Sequence, residues 1–301
     1  MPAAVRSLAS RRSGRIAPRA GRRSVMPGLR AMALFGALAP AAAFAAPPAR
    51  PAPPAPPAGF AAVDLEAMTS TELRERIASG TTTVLVPIGG TEQNGAHMVL
   101  GKHNVRVHLL ADRIAEALGN AVVAPTLAYV PEGSIHPPAG HMKYTGTISI
   151  PDAVFEGLLE SAARSFKQHG FHDVVFLGDH GGYQASLERV AAKLDREWAK
   201  DPSCRAFASV EYYRVTQTAF EDALKAHGAT PAEIGVHAGL ADTSLALALA
   251  PALVRPQAMS APPSPGVTGD PRRSTAELGE LGVALIVDRT VADIRRQTRR
   301  P

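Results

Sequence analysis

Carboxylates and imidazoles crowd together at a few places in this chain. Glu92 and His97 lie in Gly89-Gly90-Thr91-Glu92-Gln93-Asn94-Gly95-Ala96-His97, and Lys102-His103-Asn104 follows shortly after. One carboxylate and two imidazoles within such a span form the donor mixture that Zn, Mn or Fe accepts. A hydrogen-bonded turn with solvated histidines is the competing reading. In Gly178-Asp179-His180-Gly181-Gly182 the glycines allow a sharp turn that leaves His180 free to point into a crevice. In Gly235-Val236-His237-Ala238-Gly239-Leu240-Ala241-Asp242-Thr243-Ser244, His237 and Asp242 precede an apolar run, Leu245 to Leu253. Asp242 there reads as a helix cap or as a ligand.

These segments need elements to hold them. Thr69-Ser70-Thr71-Glu72 is a capping box, and the helix it opens runs to about Ser79 before Gly80. Thr81 to Pro87 is a β-branched apolar run that reads as a buried strand. The same alternation continues with helices at about 105–118, 153–170, 184–200 and 275–296, and strands at about 121–125, 173–177 and 206–213. Alternating strands and helices predict one α/β domain with parallel strands and helices on both faces. In such sheets ligands sit beyond the carboxyl ends of strands, which is where the glycine-rich segments fall. No internal repeat is visible.

Composition bounds the rest. Residues 1–45 hold eight arginines and no Asp or Glu, leaving 24 basic against 27 acidic residues beyond Ala45. The basic character therefore belongs to the leader, and the body carries no signature of nucleic-acid binding. The leader has a basic stretch to Arg30, an apolar run from Ala31 to Ala43 and small residues around Ala43-Phe44-Ala45, the parts of an export signal. Arg22-Arg23-Ser24-Val25-Met26 fits a twin-arginine element, while a start at Met26 or Met32 leaves an ordinary signal. Residues 46–59 alternate Pro and Ala and read as a tether to a domain spanning 60–301. The apolar run is too short to span a bilayer, so a mature protein free of the membrane, periplasmic or secreted, is expected. Cys204 is the sole cysteine, which excludes an intrachain disulfide and a thiolate cluster and marks it as a core residue.

Taken together, Glu92-Gln93-Asn94-Gly95-Ala96-His97, Gly146-Thr147-Ile148-Ser149, Gly178-Asp179-His180-Gly181-Gly182-Tyr183 and His237-Ala238-Gly239-Leu240-Ala241-Asp242-Thr243-Ser244 resemble, in order and spacing, motifs of the creatininase (creatinine amidohydrolase) family. The resemblance spans about residues 66–285 and extends to Gly266-Val267-Thr268-Gly269-Asp270-Pro271, a segment tied to fold and assembly. It implies a three-layer αβα sandwich with a mostly parallel sheet. It also implies a homo-oligomer, often a hexamer, and a divalent metal centre that opens an amide or related C–N bond of a small molecule.

Carried over by position, the resemblance implies Glu92, His103, His180 and Asp242 as metal-holding residues and His237 as the acid and base. Two positions depart from the family: Asn94 stands where the loop histidine would be, and His103 where an Asp would be. An Asp bridges two cations with its two oxygens, whereas a neutral imidazole offers one lone pair, so one ion is expected over two. Zinc is the expected ion, with Mn or Fe as alternatives. Asn94, His97, His141 and Asp179 are candidates for supporting or substrate contacts. For His97, His136 and His141 the hydrogen-bonded or solvated reading is the favoured one, and His169, His172 and His227 read as surface residues. The rival to a hydrolase is a secreted small-molecule binding protein that kept the fold and lost catalysis.

Overall fold

In strand β1 (Thr83–Ile88), alternate side chains serve two different cores, as a period of two demands. Leu85 joins one cluster while Val84, Val86 and Ile88 join the other. Strand β3 divides likewise, with Val175 and Leu177 on the first side and Val174 and Phe176 on the second. A sheet buried on both faces must be covered by helices on both.

The computed structural model describes residues 55–260 and 264–299. Along the chain come α1 (Ser70–Ala78), β1, α2 (Lys102–Leu118), β2 (Ala121–Val123), α3 (Asp152–Gln168), β3 (Asp173–Gly178), α4 (Gln184–Trp198) and β4 (Arg205–Ala208). They are followed by α5 (Val210–Arg214), α6 (Ala219–Ala226), α7 (Pro231–Ile234), α8 (Leu240–Leu249), α9 (Pro256–Met259) and α10 (Ala276–Thr298). The four-stranded sheet has the order β2-β1-β3-β4 and every pairing is parallel. Helices α2, α5, α6, α8 and α10 supply the cluster on one face, and α3 and α4 supply the other. This is the three-layer αβα arrangement expected.

Local signals behave as their chemistry requires. Thr69 and Glu72 form the reciprocal capping box of α1, and the Thr275 side chain accepts from Leu278 N–H at the start of α10. Cys204 is buried in the core. The expected strand 206–213 is shorter: it ends at Ala208, and the chain turns through Ser209 into α5. The reason is tertiary, since Tyr212 is drawn inward to donate its hydroxyl to Asp179. The expected export signal, and residues 46–54 of the tether, lie outside the described residues. Among the described residues no helix is long and apolar enough to cross a membrane.

Helices α8 and α10 pack backbone to backbone. A Cβ added at Gly279 would fall 2.0 Å from the Ser244 carbonyl oxygen, and one at Gly282 would fall 2.8 Å from both Phe220 and Leu245. Their closeness matters because α8 carries Asp242. Gly279→Ala is therefore expected to destabilise the protein by about 1–3 kcal/mol through overpacking, read as a lower urea midpoint with an unchanged slope. An unchanged midpoint would show that the two helices are not in tight contact.

Candidate metal centre

The carboxyl ends of β1 and β3 deliver the loops that matter. After Ile88 the chain loops out and returns at α2, and Glu92 stands inside that loop with a fully buried side chain. The loop is braced by the Gly146–Ser149 segment, where Ile148 N–H donates to Thr91 O (2.9 Å) and the Thr147 hydroxyl accepts from Gln93 N–H (3.2 Å). At the end of β3 the buried Tyr183 hydroxyl accepts from the N–H groups of Asp179 (3.2 Å) and His180 (3.1 Å). It also lies against the Ile88 and Gly89 carbonyls. One phenol thus fixes the two loops relative to each other.

The first turns of α2 present Lys102, His103 and Arg106 inward. Cations at a helix amino terminus oppose the helix dipole, and burial adds to the cost unless carboxylates compensate. Asp179 and Asp242 do so. Arg106 donates from Nε to Asp179 Oδ2 (2.8 Å) and from Nη1 to Asp242 Oδ1 (2.7 Å), and Lys102 Nζ donates to Asp242 Oδ2 (3.0 Å). Asp242 Oδ2 also accepts from Ala238 N–H (2.8 Å). Burial pushes both aspartates up, but the cations outweigh it and hold them below the usual carboxylate range, Lys102 and Arg106 at Asp242, Arg106 and His103 at Asp179.

His103 lies between two carboxylates, with Nε2 2.7 Å from Glu92 Oε1 and Nδ1 2.6 Å from Asp179 Oδ2. Both ring nitrogens face carboxylate oxygens at hydrogen-bond distance, so in this arrangement neither lone pair is directed at a cation. Asp242 is likewise occupied by Lys102, Arg106 and Ala238. These two expected ligands therefore stand beside the centre as a supporting frame. Glu92 is pushed up by burial, yet the His103 hydrogen bond and charge, with Lys102, leave it well below its ordinary value.

On the other oxygen of Glu92 a different set converges. Glu92 Oε2 has no hydrogen-bond partner and lies 3.3 Å from His141 Nε2 and 3.5 Å from His180 Nε2. His180 Nε2 is also 3.6 Å from Oε2 of Glu132, a fully buried side chain with both oxygens unpartnered. Burial, then the charge of Glu92, pushes Glu132 up to about 9. Donors around a cation at about 2.1 Å stand about 3.4 Å apart along a tetrahedron edge; Glu92, His141 and His180 offer donor atoms within 4.8 Å of one another, and Glu132 stands beside His180. Gly182 N–H donates to His180 Nδ1 (3.0 Å), which leaves the hydrogen of the neutral ring on Nε2. Taking a cation at Nε2 exchanges that hydrogen and the Gly182 contact for the metal bond. Burial, reinforced by His103 and Lys102, pushes His180 down to about 3, so the ring is neutral at physiological pH. The orphaned oxygens and the neutral His180 ring fit a divalent cation.

His237 closes the centre. Its Nε2 donates to Gln93 O (2.9 Å), which fixes the tautomer and leaves the Nδ1 lone pair 3.6 Å from Glu92 Oε1. Burial first and Lys102 second push it down to about 4. The Gly266–Pro271 segment pins it: Thr268 O accepts from His237 N–H (3.1 Å) and Thr268 N–H donates to His237 O (2.9 Å). A cavity of about 370 Å³ opens from His141, His180 and His237 past Tyr213, Gln217 and Val236.

The remaining candidates divide. His97 bonds through Nε2 to the Thr243 hydroxyl (3.1 Å), and the Asn94 amide donates to Glu92 O (2.9 Å) and Val99 O (3.2 Å), so both hold the loop. His141, expected only as a supporting group, stands in the cation-facing set. Glu132 escaped the sequence reading because no motif surrounds it. The available signal was its place in the long loop beyond the carboxyl end of β2.

The creatinine amidohydrolase family model matches residues 66–294. A creatinine amidohydrolase of Pseudomonas putida is 26% identical over 260 residues, covering 76% of this chain and 95% of that protein. A mycofactocin precursor peptide peptidase of Mycolicibacterium smegmatis is 33% identical over 132 residues, 42% of this chain and 51% of the relative. A solved structure titled "Creatininase Mn" has the same fold, with a TM-score of 0.67 at 24% identity over 79% of this chain and 99% of its own. By sequence and by architecture the chain belongs to the creatininase family.

Proposed function

We propose that this protein is a metal-dependent amidohydrolase acting outside the cytoplasm on a small amide, linear or cyclic, with one ion, zinc, at its centre. The observation that carries the reading is the convergence of Glu92, His141 and His180, whose donor atoms lie within 4.8 Å of one another, with Glu132 beside His180; Oε2 of Glu92 and both oxygens of Glu132 are buried without partners. The relatives named for amide and peptide hydrolysis support the reaction class. The basic leader followed by an apolar run supports export.

A divalent cation held by these residues supplies Lewis acidity for an amide carbonyl and for water. Glu92 is oriented for this by His103, which engages one oxygen and leaves the other free. His103 also fills the side of Glu92 away from His141, which favours one ion over two. His237 is the base: with Nε2–H fixed on Gln93 O, its Nδ1 lone pair takes the proton of the attacking water and returns it to the leaving nitrogen. Arg106 and Lys102 are consumed by Asp179 and Asp242, so neither is left to bind a charged substrate group. The cavity accordingly suits a neutral amide.

His180→Ala and Glu132→Gln should each remove one equivalent of zinc per chain by elemental analysis, and undiminished metal in both would refute the ligand set. Because Glu132 holds its proton up to about pH 9 without a cation, binding must expel that proton. Zinc affinity, measured by competition with a chelator, should therefore rise with pH between about 5 and 9, and the rise should be shallower in Glu132→Gln. His237→Gln should lower kcat by about 10²- to 10⁴-fold with metal content intact. Wild-type activity against a panel of linear and cyclic amides should fall as pH drops toward about 4, where His237 becomes protonated. Metal-loaded protein that binds an amide in calorimetry but hydrolyses none of the panel would replace catalysis with binding.

A further inference from the structure

A second group of donor side chains converges on the far side of α2. Asp64 lies where the chain enters the fold, its backbone paired in parallel with Val123 of the edge strand β2. Its Oδ2 accepts from Ala61 N–H (2.7 Å), and its Oδ1 points toward α2. There His108 and Asp112, four residues apart on one helix face, meet it. His108 Nε2 lies 3.4 Å from Asp64 Oδ1 and 3.8 Å from Asp112 Oδ2.

These separations are too long for N–H···O hydrogen bonds. They match the donor spacing of about 3.4 Å around a cation with bonds of about 2.1 Å, the same spacing as in the central set. One donor atom from each of the three residues lies within 4.8 Å of the others. Two further observations point to a missing partner. Asp112 Oδ1 is buried with no hydrogen-bond donor, a cost of about 1–3 kcal/mol unless something neutralises it. His108 Nδ1 is held by the Thr126 hydroxyl at 3.3 Å, the outer contact that orients a ligating imidazole. His103 and His108, five residues apart, face about 140° away from each other around the helix, so the two clusters do not share a face.

We infer that Asp64, His108 and Asp112 form a second divalent-cation site, of the zinc type, that clamps the entering segment and β2 to α2. Two carboxylates balance the charge of the ion, the imidazole favours zinc over magnesium or calcium, and the partly exposed face of His108 leaves a position open to water. Its role is structural: Asp64, His108 and Asp112 do not line the cavity that opens at His141, His180 and His237.

The probe is zinc alone, counted by native mass spectrometry on the full-length protein and on variants. His108→Ala and Asp112→Asn should each lose one equivalent while the zinc removable by His180→Ala remains. In His141→Ala/His180→Ala protein, one zinc should still bind, raise Tm, and weaken about 100-fold when His108→Ala is added. A stoichiometry unchanged by both His108→Ala and Asp112→Asn overturns the proposal, as does zinc stabilisation that is indifferent to them. Failure of the central site leaves these outcomes untouched, since the two sites are emptied by different substitutions.

Discussion

Everything at the centre depends on a buried ion network at the first turns of α2. Lys102 and Arg106 are placed where the helix dipole disfavours cations, and they are stable there because Asp179 and Asp242 meet them. Each aspartate comes from a different part of the fold: Asp179 directly follows β3 and Asp242 lies in the first turn of α8. The network therefore ties the central sheet to the helical layer. Removing one member would leave a buried charge uncompensated, a cost of about 3–5 kcal/mol. Tyr212, bent inward by α5, completes Asp179 and explains why β4 stops short.

The same network shapes the chemistry. With Asp179 on one nitrogen and Glu92 on the other, His103 acts as a fixed bridge between the ion network and the centre. It consumes one oxygen of Glu92 and directs the second toward His141, His180 and Glu132. The loop after β2 brings Glu132 and His141 beside Glu92 and His180 of the motif segments. Asn94 spends its amide on backbone carbonyls, which keeps the Glu92 loop closed.

Much of the architecture was legible in the residues. The capping box at Thr69, the β-branched runs of β1 and β3 and the glycine-rich turns after them each express local chemistry, and each falls where expected. Glu92, His180 and His237 were legible too, because strand ends and glycines place such residues at a crevice. His97 read preferentially as a hydrogen-bonded group, and only the tertiary structure names its partner, Thr243.

What the chain by itself determined was therefore the α/β alternation, the family and the three strand-end segments, since those rest on period, propensity and residue type over short spans. What only the tertiary structure decided was which donors meet. Glu92, His180 and the pair Glu132 and His141 belong to three separate loops, and Asp64 lies far in sequence from His108 and Asp112. Whether His103 binds a cation or bridges two carboxylates depends on Asp179, more than seventy residues away. Distances of this kind arise from packing the layers, and no local pattern encodes them.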